Sequence, residues 1–150
     1  MPDRTESSIV IAAAPGAVLD VIADFGAYPK WATEVKQATV LSEEGDGWPD
    51  RVEFVVDAGV IKDTYTLDYE WDITAEGTGV VSWSLVKASI LKAMNGSYTL
   101  AGSDDHAAGT DVTYRLAVDL TIPMLGMLKR RAEKVIVDTA LRELKKRVEG

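Results

Sequence analysis

From residue 35 to residue 120 the side chains alternate between apolar and polar with a period of two. Tyr65, Leu67, Tyr69 and Trp71 share one side of a strand, with Thr64, Thr66, Asp68 and Glu70 on the other. Val81, Trp83 and Leu85 oppose Ser82 and Ser84, and Val112, Tyr114, Leu116, Val118 and Leu120 oppose Thr113, Arg115, Ala117 and Asp119. This alternation predicts an antiparallel sheet with one buried and one solvated face. The buried face is rich in Tyr and Trp. Ahead of it, residues 7–13 alternate loosely around Ile9, Val10 and Ile11 and predict a first strand. Pro15, favoured at the first helical position, opens a short helix with Val18, Leu19, Val21, Ile22 and Phe25 at helical spacing. The helix breaks at Gly26, and Tyr28-Pro29-Lys30-Trp31 leads into a second short helix, with Tyr28 and Trp31 expected in core packing.

After the sheet the period lengthens again and predicts a long helix from Pro123 or Met124 to Val148. Leu125, Leu128, Ala132, Val135 and Ile136 form one apolar column, and Val137, Ala140, Leu141, Leu144 and Val148 form a second. Arg131, Lys134, Asp138, Arg142 and Lys145 fill the remaining sector and face water. An apolar arc this wide suits a helix gripped by a curved sheet.

The turns alternate as well. Residues 43–50, 74–79 and 103–109 are polar and glycine-rich, whereas residues 57–62, 86–93 and 121–127 carry aliphatic side chains. Successive hairpin turns of a meander fall at opposite ends of the sheet. One end is therefore expected to be wet and acidic, the other apolar. Turns are normally polar and exposed, so clustered apolar turns need a partner, a ligand or one another.

Composition narrows the class. The 150 residues contain no Cys and a single His, His106, which removes disulfides, thiolate nucleophiles and a transition-metal site from consideration. The formal net charge is −8, and residues 123–150 carry eight Lys/Arg against four Asp/Glu, leaving −12 elsewhere. An acidic body repels a phosphate backbone, so no nucleic-acid partner is expected. No signal-peptide pattern is visible and no apolar run approaches the roughly 20 residues that span a bilayer. The expectation is one domain over residues 1–150, cytoplasmic, monomeric or weakly dimeric.

Several stretches carry a family resemblance: Ala14-Pro15 with Val18-Leu19-Asp20-Val21-Ile22, Ala23-Asp24-Phe25 through Tyr28-Pro29-Lys30-Trp31, Leu91-Lys92 leading to Gly96-Ser97-Tyr98-Thr99-Leu100, and Gly109-Thr110-Asp111-Val112-Thr113-Tyr114, followed by Pro123 and the basic helix. In this order the chain resembles the polyketide cyclase/dehydrase and lipid-transport family of the START-like superfamily, related to the birch-pollen allergens. The resemblance implies an α+β helix-grip fold: a curved antiparallel sheet of about seven strands around a long C-terminal helix, with two short helices after strand 1. It also implies a cavity between sheet and helix, entered at the end of the apolar turns. Members include lipid carriers, coenzyme-Q-binding proteins, aromatase/cyclases and a ribosome-associated toxin, so fold alone does not fix function.

The inward positions are almost free of acids and bases, and only the hydroxyls of Tyr65, Tyr69, Tyr98 and Tyr114 offer proton chemistry. The expected activity is therefore non-catalytic binding of a hydrophobic or amphipathic small molecule, with no cofactor and no metal. The expected cavity residues are Phe54, Tyr65, Leu67, Tyr69, Trp71, Trp83, Tyr98, Tyr114, Leu128 and Val135. The expected gate is Val60, Ile61, Ile90, Leu91, Met124, Leu125 and Met127, unless these turns merely plug the sheet end. Residues 44–49 look like the glycine-rich loop of the allergen relatives, yet their carboxylates oppose phosphate binding. The basic stripe on the last helix allows transient contact with an anionic membrane surface. Two alternatives remain open: a polyketide aromatase/cyclase or dehydrase, and a ribosome-associated interaction module.

Overall fold

The computed structural model describes residues 5–43, 48–57, 62–103, 109–121 and 126–150. The strands are β1 (Thr5–Ile11), β2 (Val35–Glu43), β3 (Pro49–Asp57), β4 (Lys62–Ile73), β5 (Gly79–Lys87), β6 (Leu91–Gly102) and β7 (Thr110–Leu120). They form one antiparallel sheet in the order β1-β7-β6-β5-β4-β3-β2. Six strands thus make a meander, and β1 adds to its last member. Between β1 and β2 come α1 (Pro15–Ala23), a 3-10 turn (Phe25–Ala27) and α2 (Tyr28–Trp31); α3 (Gly126–Glu149) follows β7. This is the α+β helix-grip order that the periodicities and the resemblance predict.

The period-two pattern is realised on most strands. Val52 and Phe54, then Tyr65, Leu67 and Tyr69, then Val81 and Trp83, then Val112, Tyr114, Leu116 and Val118 are all buried on the concave face. Register shifts interrupt the β2–β3, β4–β5 and β6–β7 ladders. Each bulge bends and twists its strand, which curls the sheet around α3. Thr66, expected on the wet face, is buried next to the β4–β5 shift, and its hydroxyl finds no partner among the described residues. Nothing in the structure explains it.

The long helix differs from expectation in its phase. The buried line is Glu133, Val137, Leu141 and Leu144, with Ile136, Ala140 and Val148 partly covered. Leu128 and Val135, expected on the gripped face, are 51% and 57% exposed. Lying seven residues apart, they share a stripe, and that stripe points to water. The buried line instead begins with a carboxylate. Glu133 accepts hydrogen bonds from the Thr5 hydroxyl (2.8 Å) and from the Val118 N–H (2.7 Å). Val118 lies two residues beyond the Thr5–Leu116 pair, the outermost among the described residues, and Glu133 takes up its N–H.

The segregation of turns is visible in the flanking residues. The Thr121 N–H bonds to the Ile90 carbonyl, and Leu91 pairs with Leu120. Gly102 and Thr110, which flank residues 104–108, pair at the opposite end of the same two strands. Asp63, at the start of β4, fastens the Ile90 end together. Its carboxylate accepts the N–H groups of Thr64, Ser89, Ile90 and Leu91 at 2.8–3.1 Å. Burial pushes the Asp63 carboxyl up, but these four bonds outweigh it and hold its pKa below the ordinary value. Leu91 is the first residue of β6 and 4% exposed, a core residue rather than part of an exposed turn.

Candidate ligand cavity

A cavity of about 120 Å³ lies between the concave face of the sheet and α3. Seven of the ten expected cavity residues line it: Phe54, Tyr65, Leu67, Tyr69, Trp83, Tyr98 and Tyr114. The strand alternation places them all on one face, and the curvature turns that face inward. Leu128 and Val135 do not line it, for the helical phase already given. Trp71 does not line it either, although it follows Tyr69 on the same strand face. Its ring stacks on Trp48 at 4.8 Å between centroids, and its Nε1 donates to the Pro49 carbonyl at 2.6 Å. Trp48 and Trp71 therefore pack beyond the cavity, at the end where β3 begins.

Of the expected gate, Val60, Ile61, Met124 and Leu125 lie outside the described residues, as do His106 and residues 44–47. Ile90, Leu91 and Met127 do not line the cavity: Ile90 is half-buried, Leu91 is core and Met127 is 68% exposed. The partly exposed lining residues show where the cavity meets solvent. They are Trp31, Ala32, Glu34 and Val35 on the α2–β2 connection, Val56 near the end of β3, and Ile136, Ala140 and Glu143 on α3.

Local geometry builds the aromatic wall. Trp83 pairs with Gly96 across the β5–β6 ladder, and a Cβ on Gly96 would meet the indole at 2.5 Å. The absent side chain lets the indole lie across β6, where it meets Tyr98 at 5.5 Å and Tyr114 edge-on at 5.6 Å between centroids. Tyr98 and Tyr114 themselves pack at 4.7 Å. Phe25, from the 3-10 turn, backs the wall by packing on Tyr69 and Phe54.

The polar groups of the wall fall into two sets. The Tyr28 hydroxyl donates to the Ile22 carbonyl, which ties α2 to α1. The hydroxyls of Tyr65, Tyr69, Tyr98 and Tyr114 have no hydrogen-bond partner among the described residues, although these residues are only 7–8% exposed. None of these hydroxyls is sealed from solvent-sized space as the Trp31 Nε1 is, and all four residues border the cavity. They are its unused polar groups. Burial raises every one of these phenols above its ordinary pKa, and at Tyr114 the Glu34 charge adds to the effect. The phenols stay neutral, as donors and acceptors rather than as bases.

Glu34 and Glu143 are the cavity's charged lining residues. Hydrophobic periodicity does not single out either, because neither is apolar. One signal was available for Glu143: it stands three residues from Ala140 and seven from Ile136, on the same helical face. Its carboxylate accepts the Thr33 N–H at 3.1 Å and the Thr33 hydroxyl at 2.8 Å, which joins α3 to the α2–β2 connection. Tyr28 and Trp31, expected simply as core, also face the cavity. Among the described residues there is no cluster of His, Cys, Asp and Glu able to hold a metal, and no helix is long and apolar enough to cross a membrane.

Solved structures share this architecture. A START superfamily protein from Mycobacterium smegmatis superposes with a TM-score of 0.87 at 18% identity, covering 97% of each chain. A Thermus thermophilus protein does so with 0.79 at 23% identity, again covering 97% of each. The Zhui aromatase/cyclase from Streptomyces gives 0.78 at 19% identity, covering 99% of this chain and 94% of its own. At such identities the likeness concerns the fold. No curated protein matches the sequence. The family described as polyketide cyclase/dehydrase and lipid transport matches residues 2–149, and this chain belongs to it.

Proposed function

We propose that the protein binds a hydrophobic or amphipathic small molecule in this cavity and releases it unchanged. The observation that carries the reading is the set of four hydroxyls, on otherwise buried tyrosines, that open onto an aromatic space and have no partner among the described residues. Hydroxyls so placed are satisfied by whatever enters the cavity, water or ligand, and a wall that served only packing would be better built from Phe. A ligand polar group completes them, while the rings take its apolar part, the usual division of labour in a small-molecule site. At about 120 Å³ the space is close to the roughly 150 Å³ that holds a benzene ring and below the roughly 300–1,000 Å³ of drug-sized sites. A single ring or short aliphatic segment fits as it stands; a longer ligand must extend through the Trp31–Ile136 side.

Native mass spectrometry of freshly purified protein, with extraction of the bound material, tests the reading. The expected result is a one-to-one adduct recovered chemically unchanged after release. Conversion of the extracted compound during incubation with the protein, over many turnovers, would instead establish the cyclase or dehydrase alternative.

A further inference from the structure

We propose that the ligand carries a cationic head, an amine or ammonium group, seated at the solvent-facing side of the cavity between Glu34 and Glu143. This rests on the ligand-binding reading above and names the chemistry of that ligand. Among the described residues the charge on the lining is of one sign: two carboxylates and no Lys or Arg. Glu143 is held in place by Thr33, whereas the Glu34 side chain has neither a hydrogen bond nor an ion pair among the described residues.

Among the described residues no Lys or Arg is ion-paired with either carboxylate. Lys36 bonds the Thr33 carbonyl, Lys134 bonds Ser7 and Asp138, and Lys145 bonds the Val10 carbonyl and Glu149.

The aromatic wall supports the same sign. A cation over the face of Trp, Tyr or Phe is attracted by the ring quadrupole, and Trp31 and Tyr28, 4.9 Å apart, line the same cavity as the two carboxylates. The Glu34 charge also reaches inward, adding to the rise in the buried Tyr114 phenol's pKa. The unpartnered hydroxyls of Tyr98 and Tyr114 have free lone pairs for an ammonium N–H. An anionic head would instead meet two carboxylates and the negative faces of the rings.

Three probes with one ring and nearly equal size separate these terms: phenethylamine, 2-phenylethanol and phenylacetate. Each is titrated into the full chain near neutral pH and low salt, by calorimetry and tryptophan fluorescence. The amine should bind about tenfold more tightly than the alcohol, and the alcohol more tightly than the carboxylate. The amine's advantage should shrink as salt is raised. In Glu34→Gln the ratio of amine to alcohol affinity should fall several-fold. Equal binding of amine and alcohol, or a preference for phenylacetate, overturns the cationic head while leaving ligand binding intact. An unchanged ratio in Glu34→Gln overturns the assignment to that residue. Failure of all three probes to bind overturns the cavity reading itself, and the present inference with it.

Discussion

The concave face has two aromatic regions of opposite character. Around Trp48 and Trp71 the rings stack at 4.8 Å, and the Trp71 indole N–H is bonded to the Pro49 carbonyl. Tyr65, Tyr69, Tyr98 and Tyr114 are more deeply buried than these partly covered tryptophans, yet their hydroxyls are bonded to nothing described and border open space. Burial alone does not tell which region can take a ligand, since the more buried one borders the cavity. Hydrogen-bond satisfaction does: where the polar atom of an aromatic residue is paired internally, the residue holds the fold, and where it is left over, the residue is available to a ligand.

The largest effect is expected in the closed region. Trp71→Ala removes a stacked ring and its hydrogen bond; loss of a buried large aromatic residue costs about 3–5 kcal/mol, and this partly buried ring should fall toward the lower end of that range. Chemical denaturation should show this as a lowered midpoint, while the affinity for 2-phenylethanol stays within about twofold, because Trp71 does not line the cavity. A large loss of affinity in a variant that remains folded would erase the distinction between the regions.

How far the sequence discloses this arrangement depends on the range of the interactions. Strand alternation is local, and it places Phe54, Tyr65, Leu67, Tyr69, Trp83, Tyr98 and Tyr114 on one face without knowledge of the partners. Trp71 obeys the same alternation, but its separation from the cavity depends on Trp48, which lies 23 residues earlier in the chain. The phase of α3 depends on still longer range. Apolar content draws Leu128 and Val135 inward, whereas the helix turns Glu133 toward Thr5 and Val118 and leaves those two aliphatics outside. A carboxylate on the gripped face is legible only once its two donors are in place. Glu34 and Glu143 escape for a related reason: a cavity needs polar groups at its solvent side, and hydrophobic periodicity is blind to them.

A second, smaller effect separates the ends of the sheet by pH. Asp63 ties the start of β4 to Ser89, Ile90 and Leu91, and its folded pKa lies below the ordinary carboxylate value. Its contribution is therefore fully present above the unfolded-state pKa of about 3.9 and is lost as pH falls through the lower, folded-state value. Asp63→Ala should cost about 3 kcal/mol at neutral pH, since several charge-assisted bonds are removed and buried donors are left unpaired. Hydrogen exchange should show the amides of Ser89, Ile90 and Leu91 opening in acid before those around Trp71, and in Asp63→Ala already at neutral pH. Equal protection of the two regions through the acid range would show that Asp63 is not the fastener.

The smallest changes in stability make the sharpest test, because they compare the same substitution in paired and unpaired settings. Tyr28→Phe deletes a hydroxyl that donates to the Ile22 carbonyl, and should cost about 1 kcal/mol, the net value of a typical internal hydrogen bond. Tyr65→Phe, Tyr69→Phe, Tyr98→Phe and Tyr114→Phe delete hydroxyls with no such partner, so each should leave stability within about 0.5 kcal/mol or raise it slightly. The order should reverse for ligand binding. Loss of one hydrogen bond of about 0.5–1.5 kcal/mol lowers affinity by up to about tenfold, and it should do so at whichever of the four hydroxyls the ligand engages. Tyr28→Phe should leave affinity nearly unchanged, since its hydroxyl is already occupied. Denaturation and calorimetry on the five variants measure both quantities. If the four cavity variants lose as much stability as Tyr28→Phe and no affinity, their hydroxyls are structural, and the unpaired set no longer marks a binding site.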